Sequence, residues 1–163
     1  MEYVITIDPD RCTGCRICEM MCSLSHAREC APERSRIRNV RFEEDGRITT
    51  IPSLCMQCET AACQIACPTG ATYRGGPVGA MLVEDKKCIG CSACVYACPF
   101  GASSIDPVSK KAIRCDMCEG EPRCVKNCPT EAIQFTTRSK VALQQRREKV
   151  SKLLTAQNVA AEA

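Results

Sequence analysis

Cysteine spacing constrains this chain more than any other feature. Seventeen of its 163 residues are cysteines, and sixteen of them form four compact groups, each with three thiols on one short loop and a fourth just beyond it. In chain order, groups one to four are Cys12, Cys15, Cys18, Cys22; Cys55, Cys58, Cys63, Cys67; Cys88, Cys91, Cys94, Cys98; and Cys115, Cys118, Cys124, Cys128. Because this is the ligand pattern of a 4Fe–4S cluster, the sequence predicts four such clusters.

Disulfides and zinc are the alternatives for so many cysteines. A disulfide scaffold is typical of small secreted chains, but the opening segment MEYVITIDPDRC reads as a strand without a signal-peptide pattern. Cysteines two or three residues apart also suit disulfide geometry poorly. Structural zinc is usually held by two separated pairs, whereas groups one and three read C-x2-C-x2-C-x3-C. Groups two and four have a longer middle gap but keep all four thiols, so iron–sulfur clusters are the favoured interpretation.

Residues outside the groups have less specific patterns. Cys30 is predicted to be a thiol without a ligand role, and His26, the single histidine, to be a surface residue of a loop or helix. Some methionines in or beside the groups are predicted to cover the clusters: Met20, Met21, Met56, Met81 and Met117. Basic residues that directly precede groups one, three and four are either solvated or offset cluster charge: Arg11, Lys86, Lys87 and Arg114.

The charge is unevenly distributed along the chain. The formal net charge of +3 counts each thiol as neutral. An oxidised cluster with four thiolates carries about −2, so four clusters bring the net charge of the protein to about −5. Residues 138–163 hold six basic and two acidic residues. An acidic body with a basic tail argues against nucleic-acid binding, and the lack of a long apolar run argues against a membrane span. Free thiols favour a reducing cytoplasm, in a cell that meets little oxygen.

Internal repeats suggest how the groups combine. CTGCRICEMMC resembles CIGCSACVYAC, and CMQCETAACQIACPTGA resembles CDMCEGEPRCVKNCPTEA. Strand-like segments flank them: YVITID before group one, AMLVED before group three, and ATYR and AIQFT after groups two and four. If the first and last strands pair, each cluster takes its fourth ligand from another group; pairing of group one with two and of three with four remains open.

The crossed scheme defines four ligand sets. They are Cys12, Cys15, Cys18 with Cys128; Cys115, Cys118, Cys124 with Cys22; Cys55, Cys58, Cys63 with Cys98; and Cys88, Cys91, Cys94 with Cys67. We call these sets 1, 2, 3 and 4.

The predicted fold class is α+β, with tandem or interleaved 2×(4Fe–4S) ferredoxin-like units built from short β-hairpins and short helices. Residues 1–54 and 99–137 form an outer unit, with a hairpin insert at about 25–54 that turns at Glu44, Asp45 and Gly46. Residues 55–98 form an inner unit. Residues 138–163 form a basic C-terminal helix or tail, with a candidate helix at 138–158 whose apolar stripe is thin.

The four complete cysteine groups, in this order, resemble the four-cluster iron–sulfur subunits of molybdenum and tungsten oxidoreductases, the superfamily of dimethyl sulfoxide reductase and formate dehydrogenase. The resemblance covers residues 3–137 and agrees with the crossed scheme. The short fourth group is more similar to the small soluble members that serve tungsten aldehyde oxidoreductases, carbon monoxide dehydrogenase, formate dehydrogenase or hydrogenase. The first of these is the closest likeness in size and loop lengths.

The resemblance implies a non-catalytic electron-transfer subunit. It would relay electrons between a large catalytic subunit with a tungsten or molybdenum pterin and a flavin subunit, a ferredoxin or another acceptor. Further copies of the chain, bound through the C-terminal helix, are a second class of partner. An enzyme would need an open iron site, and a redox sensor would more often carry a DNA-binding domain; the sequence shows neither pattern.

Overall fold

The computed structural model describes residues 3–147, which form a small mixed α/β protein of short elements. In chain order these are β1 Tyr3–Ile7, α1 Ile17–Ala27, β2 Arg38–Glu44, β3 Arg47–Ser53, α2 Ala62–Ile65, β4 Thr72–Gly75, β5 Ala80–Val83, α3 Ala93–Tyr96, β6 Ser103–Ile105, β7 Ala112–Arg114, α4 Arg123–Lys126 and β8 Ile133–Thr137. Single 3-10 turns lie at Pro9–Arg11 and Pro32–Arg34, and residues Met117–Gly120 form a turn with positive φ. Residues 138–147 of the candidate helix at 138–158 are helical, and its remaining residues lie outside the described part of the chain.

The first and last strands pair with each other. β1 and β8 are antiparallel, from Tyr3 opposite Thr137 to Ile7 opposite Ile133. The rings of Tyr3 and Phe135 stack with centroids 5.1 Å apart. Cys12 follows β1 by five residues and Cys128 precedes β8 by five. The sheet therefore brings the loop of group one to the end of group four.

Three further hairpins complete the strand pairing of the described residues. β4 pairs with β5 between groups two and three, and β6 pairs with β7 between groups three and four. The predicted hairpin in the first half is present as β2 and β3. It turns at Asp45 and Gly46, both left-handed with φ of 48° and 75°, which is the two-residue turn that suits the twist of a hairpin. The pair β6–β7 has no counterpart among the strands predicted from sequence.

Each of the helices α1 to α4 begins one residue before the third cysteine of a group. Cys18, Cys63, Cys94 and Cys124 are each the second residue of α1, α2, α3 and α4. α1 packs on α4, and α2 packs on α3. The helix contacts therefore also pair group one with group four, and group two with group three.

Cysteines make up much of the two hydrophobic cores. One core joins Ile5, Ile37, Leu54 and Ile133 to thiols of groups one and four, and the other consists of Ala71, Cys88, Cys94 and Ala112 with its partly buried neighbours. The packing thus depends on groups that can hold metal. Among the helices of the described residues, none has the length and apolar character needed to cross a bilayer.

Candidate iron–sulfur cluster sites

Each cysteine loop turns through a left-handed residue directly before its second cysteine. These residues are Gly14 with φ of 70°, Gln57 with 51°, Gly90 with 71° and Met117 with 58°. Glycine adopts this conformation without strain, which explains its use in groups one and three. At Gly90 no other residue fits, because an added Cβ would lie 2.3 Å from the carbonyl oxygen of Lys110.

Groups two and four place large side chains at this same position, and both are buried. Gln57 and Met117 are each 1% exposed. The Gln57 side-chain nitrogen donates to the carbonyl of Cys115 at 2.7 Å, and its oxygen accepts from the backbone N–H of Met81 at 2.7 Å. Gln57 therefore connects the loop of group two to the loop of group four. Sequence reasoning missed this role, although the internal repeat aligns Gln57 and Met117 with Gly14 and Gly90.

Three voids are each lined by four cysteines. The cysteines that line them are Cys12, Cys15, Cys18, Cys128; Cys22, Cys115, Cys118, Cys124; and Cys67, Cys88, Cys91, Cys94. These are the members of sets 1, 2 and 4, so three cysteines of one group meet the fourth cysteine of another.

Three of the remaining four cysteines lie close together. The charges of Cys63 and Cys98 both act on the thiol of Cys55, which places these members of set 3 near one another. Burial raises the pKa of Cys55, and the backbone N–H of Gln57 and the charge of Arg114 oppose that rise. The Cys58 carbonyl accepts a hydrogen bond from Arg74.

Deep burial opposes ionisation of several thiols. Burial, reinforced by the neighbouring thiols Cys22 and Cys118, raises the pKa of Cys124 to about 12, and burial also raises the pKa of Cys115 strongly. A metal ion that replaces the proton removes this penalty, because a thiolate is the ligand. The donor set therefore fits iron, because cysteine sulfurs in sets of four line three voids.

The fourth cysteines of groups two and four occupy a different environment. Burial acts to raise the pKa of Cys67, but hydrogen bonds from the backbone of Thr72 and from Thr69 outweigh it and lower the pKa to about 7. Cys128 has a corresponding environment: Thr130 lies 3.7 Å from its sulfur, and backbone hydrogen bonds overcome burial to lower its pKa. These two thiols are thus prepared to be anionic ligands.

Polar N–H groups donate to further cysteine sulfurs. The backbone of Arg36 donates to Cys22 at 3.3 Å, and the side chain of Asn39 donates to Cys18 at 3.3 Å. Ala112 donates to Cys88 and Ala102 donates to Cys98, both at 3.4 Å. Such bonds stabilise negative charge on sulfur and so adjust the potential of a bound cluster.

Residues outside the ligand sets differ in how close they lie. His26 is half-buried on α1, with Nε2 3.8 Å from the sulfur of Cys118 and 3.5 Å from Asp116. Burial and the charge of Arg36 lower its pKa, so the imidazole is neutral near pH 7. Cys30 is exposed and lines none of the three cysteine voids. Of the five methionines predicted to cover the clusters, Met81 and Met117 are fully buried, whereas Met20 and Met56 are about half exposed.

Family models of iron–sulfur proteins match the chain. A 4Fe-4S dicluster domain covers residues 47–138, and a 4Fe-4S binding domain covers residues 5–23. Both matches fall on the segments that carry the cysteine groups. Together with the sixteen grouped cysteines they fit four 4Fe–4S clusters.

Curated relatives are named as electron-transfer proteins. The polyferredoxin-like subunit of an aliphatic sulfonate oxidoreductase from Pyrococcus furiosus is 44% identical over 76% of this chain and 70% of that protein. The putative electron transport protein YsaA from Escherichia coli is 41% identical over 86% of this chain and 94% of that protein. Among solved structures, a chain of the active site complex BamBC of benzoyl coenzyme A reductase is 28% identical, with a TM-score of 0.50 over 96% of both chains.

Proposed function

We propose that this chain, which belongs to the 4Fe–4S dicluster ferredoxin family, relays electrons through four clusters between a catalytic subunit and an acceptor. It is an iron–sulfur electron-transfer subunit of oxidoreductases, without catalytic activity of its own. The similar proteins are named as an oxidoreductase subunit and as a putative electron transport protein. When bound, the clusters supply one-electron transfer.

The ligands that we propose are the crossed sets 1 to 4. The observation that carries this assignment is the lining of the three voids, because each combines three cysteines of one group with the fourth of another. The pairing of β1 with β8 supports it for Cys12 and Cys128. The same strand pairing supports our division of the chain into an outer unit, residues 1–54 and 99–137, and an inner unit, residues 55–98.

The chain's own residues have three tasks in this relay. The thiolates bind iron, and N–H donors such as those of Asn39 and Ala112 disperse the negative charge of the thiolates. Met81 and Met117, 0% and 1% exposed, exclude water between the loops. None of these tasks involves a bond to substrate, which agrees with a relay.

The catalytic partner that we propose is a tungsten oxidoreductase of the aldehyde oxidoreductase type, in the cytoplasm. Two likenesses support it: the short cysteine groups, and a 44% identical relative that is itself a polyferredoxin-like subunit of an oxidoreductase. The flavin subunit or ferredoxin that accepts the electrons, and further copies of this chain, belong to the same proposal.

Anaerobic isolation of the native complex tests the proposal. The chain should carry about sixteen iron atoms and as many sulfides, should show four one-electron couples, and should turn over no aldehyde by itself. The co-purified large subunit should contain tungsten and oxidise aldehydes. A partner with molybdenum only, with nickel, or with neither metal would reject the tungsten assignment, and far less iron would reject the four-cluster relay.

A further inference from the structure

Arg114, the last residue of β7, places its guanidinium among cysteine thiols of the inner unit. The residue is 3% exposed. Its Nη1 donates to the sulfur of Cys63 at 2.8 Å, and its Nη2 donates to the hydroxyl oxygens of Thr72 and Ser103, both at 3.3 Å. The side chain therefore contacts a thiol 51 positions earlier in the sequence, although its backbone directly precedes Cys115.

A second thiol is connected to Arg114 through one hydroxyl. Ser103 accepts from the guanidinium and donates its own proton to the sulfur of Cys94 at 3.7 Å. Cys63 and Cys94 are the third cysteines of groups two and three, and they are the second residues of α2 and α3. Arg114 thus lies between sets 3 and 4.

In the described part of the chain, the charge of Arg114 has no carboxylate partner. Two other arginines, which are less deeply buried, form ion pairs: Arg34 with Asp106 at 2.8 Å and Arg36 with Asp116. Within residues 3–147, no carboxylate oxygen lies within 4.0 Å of the guanidinium of Arg114, and its Nε has no hydrogen-bond partner. A buried guanidinium without a counter-charge is strongly unfavourable. The anions next to the guanidinium of Arg114 would be cysteine thiolates and the negatively charged clusters that they hold.

We propose that Arg114 is a counter-ion shared by the two inner clusters, those of sets 3 and 4, and that it raises the reduction potential of both. The inference depends on the proposed ligand sets. A fixed positive charge stabilises the reduced form of a nearby cluster more than the oxidised form, because reduction adds negative charge. Low exposure limits the solvent screening that would weaken this effect.

A purely structural role would have a different outcome. Through Thr72 and Ser103 the guanidinium also connects β4, β6 and β7, so its removal would loosen the strands even without an electrostatic effect. Arg114→Gln keeps a hydrogen-bond donor but removes the charge, whereas Arg114→Lys keeps the charge but not the planar fork. The two variants therefore separate charge from bracing.

The experiment is an EPR-monitored redox titration of the full-length holoprotein, purified without oxygen. Substitutions Cys58→Ser and Cys91→Ser first identify the signals of the inner clusters. In Arg114→Gln we expect the oxidised-to-reduced ratio of both inner clusters to rise at least tenfold at a fixed ambient potential, a shift of about 59 mV per electron. In Arg114→Lys, which keeps the charge, both inner potentials should stay close to those of the wild type. Ser103→Ala should lower the reduction potential of the cluster of set 4 only.

Arg41→Gln is the matched control. It removes the same charge from an exposed position on β2, where the arginine side chain is 58% exposed, and should leave all four potentials unchanged. Fully loaded Arg114→Gln with unchanged inner potentials would overturn the inference. If Arg114→Gln loses iron, the test rests on Arg114→Lys. Full iron content and near-native potentials in Arg114→Lys would support the charge role, whereas loss of iron in this variant as well would overturn it. Wild-type protein with fewer than four clusters would instead overturn the relay itself.

Discussion

The side-chain amide of Gln57 donates a 2.7 Å hydrogen bond to the backbone carbonyl of Cys115, and so connects the second and fourth cysteine loops. The same side chain accepts from Met81. The carbonyl of Gln57 in turn accepts from Arg138 at 2.8 Å, at the first residue of the C-terminal helix. One residue therefore connects two cluster loops, a strand and the helix.

Replacement of Gln57 by leucine tests this connection. Gln57→Leu keeps the size but leaves a buried carbonyl and a buried N–H unpaired, so we expect a loss of about 2–4 kcal/mol in the free energy of unfolding. Anaerobic denaturant titration, followed by cluster absorbance, measures it. Gln64→Leu, on the exposed face of α2, is the control and should change stability by about 0.5 kcal/mol or less. Equal losses in the two variants would contradict the role of Gln57.

The glycine of group three offers a comparison of strain with steric clash. Gly90 and Gly70 have similar φ values of 71° and 64°, but a Cβ meets the Lys110 carbonyl at Gly90 and nothing within 4 Å at Gly70. Gly70→Ala should cost only the left-handed strain, about 1–2 kcal/mol, and keep all iron. Gly90→Ala should distort the loop and lose iron from one cluster, as measured by iron and sulfide content. Full iron content in Gly90→Ala would contradict this prediction, because it would show that the loop accommodates the added Cβ.

Paired cysteine substitutions test the crossed ligands. Cys12→Ser and Cys128→Ser should perturb one and the same EPR signal, because both residues line one void. Cys22→Ser and Cys118→Ser should both perturb a second signal. Cys30→Ser should leave all signals intact, since Cys30 is exposed and lines none of these voids. If Cys12→Ser and Cys22→Ser change the same signal, each group holds its own cluster and the crossed scheme is wrong.

Asp106 predicts a defined pH dependence of stability. The Arg34 side chain, 2.8 Å away, holds the pKa of the Asp106 carboxyl well below its usual range, aided by the Ser109 backbone and opposed by burial. Because the folded-state pKa is depressed, the stabilisation is present above the unfolded pKa of about 4 and is lost as pH falls through the folded value. Asp106→Asn should therefore cost about 2 kcal/mol at pH 7.

The difference between Asp106→Asn and wild type should stay constant down to about pH 5 and shrink below about pH 4. Denaturant titration at each pH measures this difference in the free energy of unfolding. Both proteins carry the same clusters, so any loss of clusters in acid affects both equally and does not change the difference. Glu44→Gln, at the exposed end of β2, should show no such dependence. A difference that grows as pH falls would reverse the assigned sign.

Local sequence predicted the parts of this molecule that depend on local order. Cysteine spacing identified the sites, and alternation with turn residues identified β1, β8 and the β2–β3 hairpin. The pair β6–β7 was missed because each strand is three residues long, too short for a periodic pattern. The sequence left two alternatives for Arg114, a solvated residue or one that offsets cluster charge, and no local pattern indicates its contact with Cys63, 51 positions away.

Sulfur-bearing side chains take the place that hydrocarbon has in most small proteins, as the two cores of this chain illustrate. Exposure of apolar surface is what gives unfolding its large heat-capacity increment. A molecule assembled in this way should have a shallow stability curve, with little penalty on cooling or moderate heating. Oxidants, which attack thiolates and thioethers, set the conditions under which such a molecule survives.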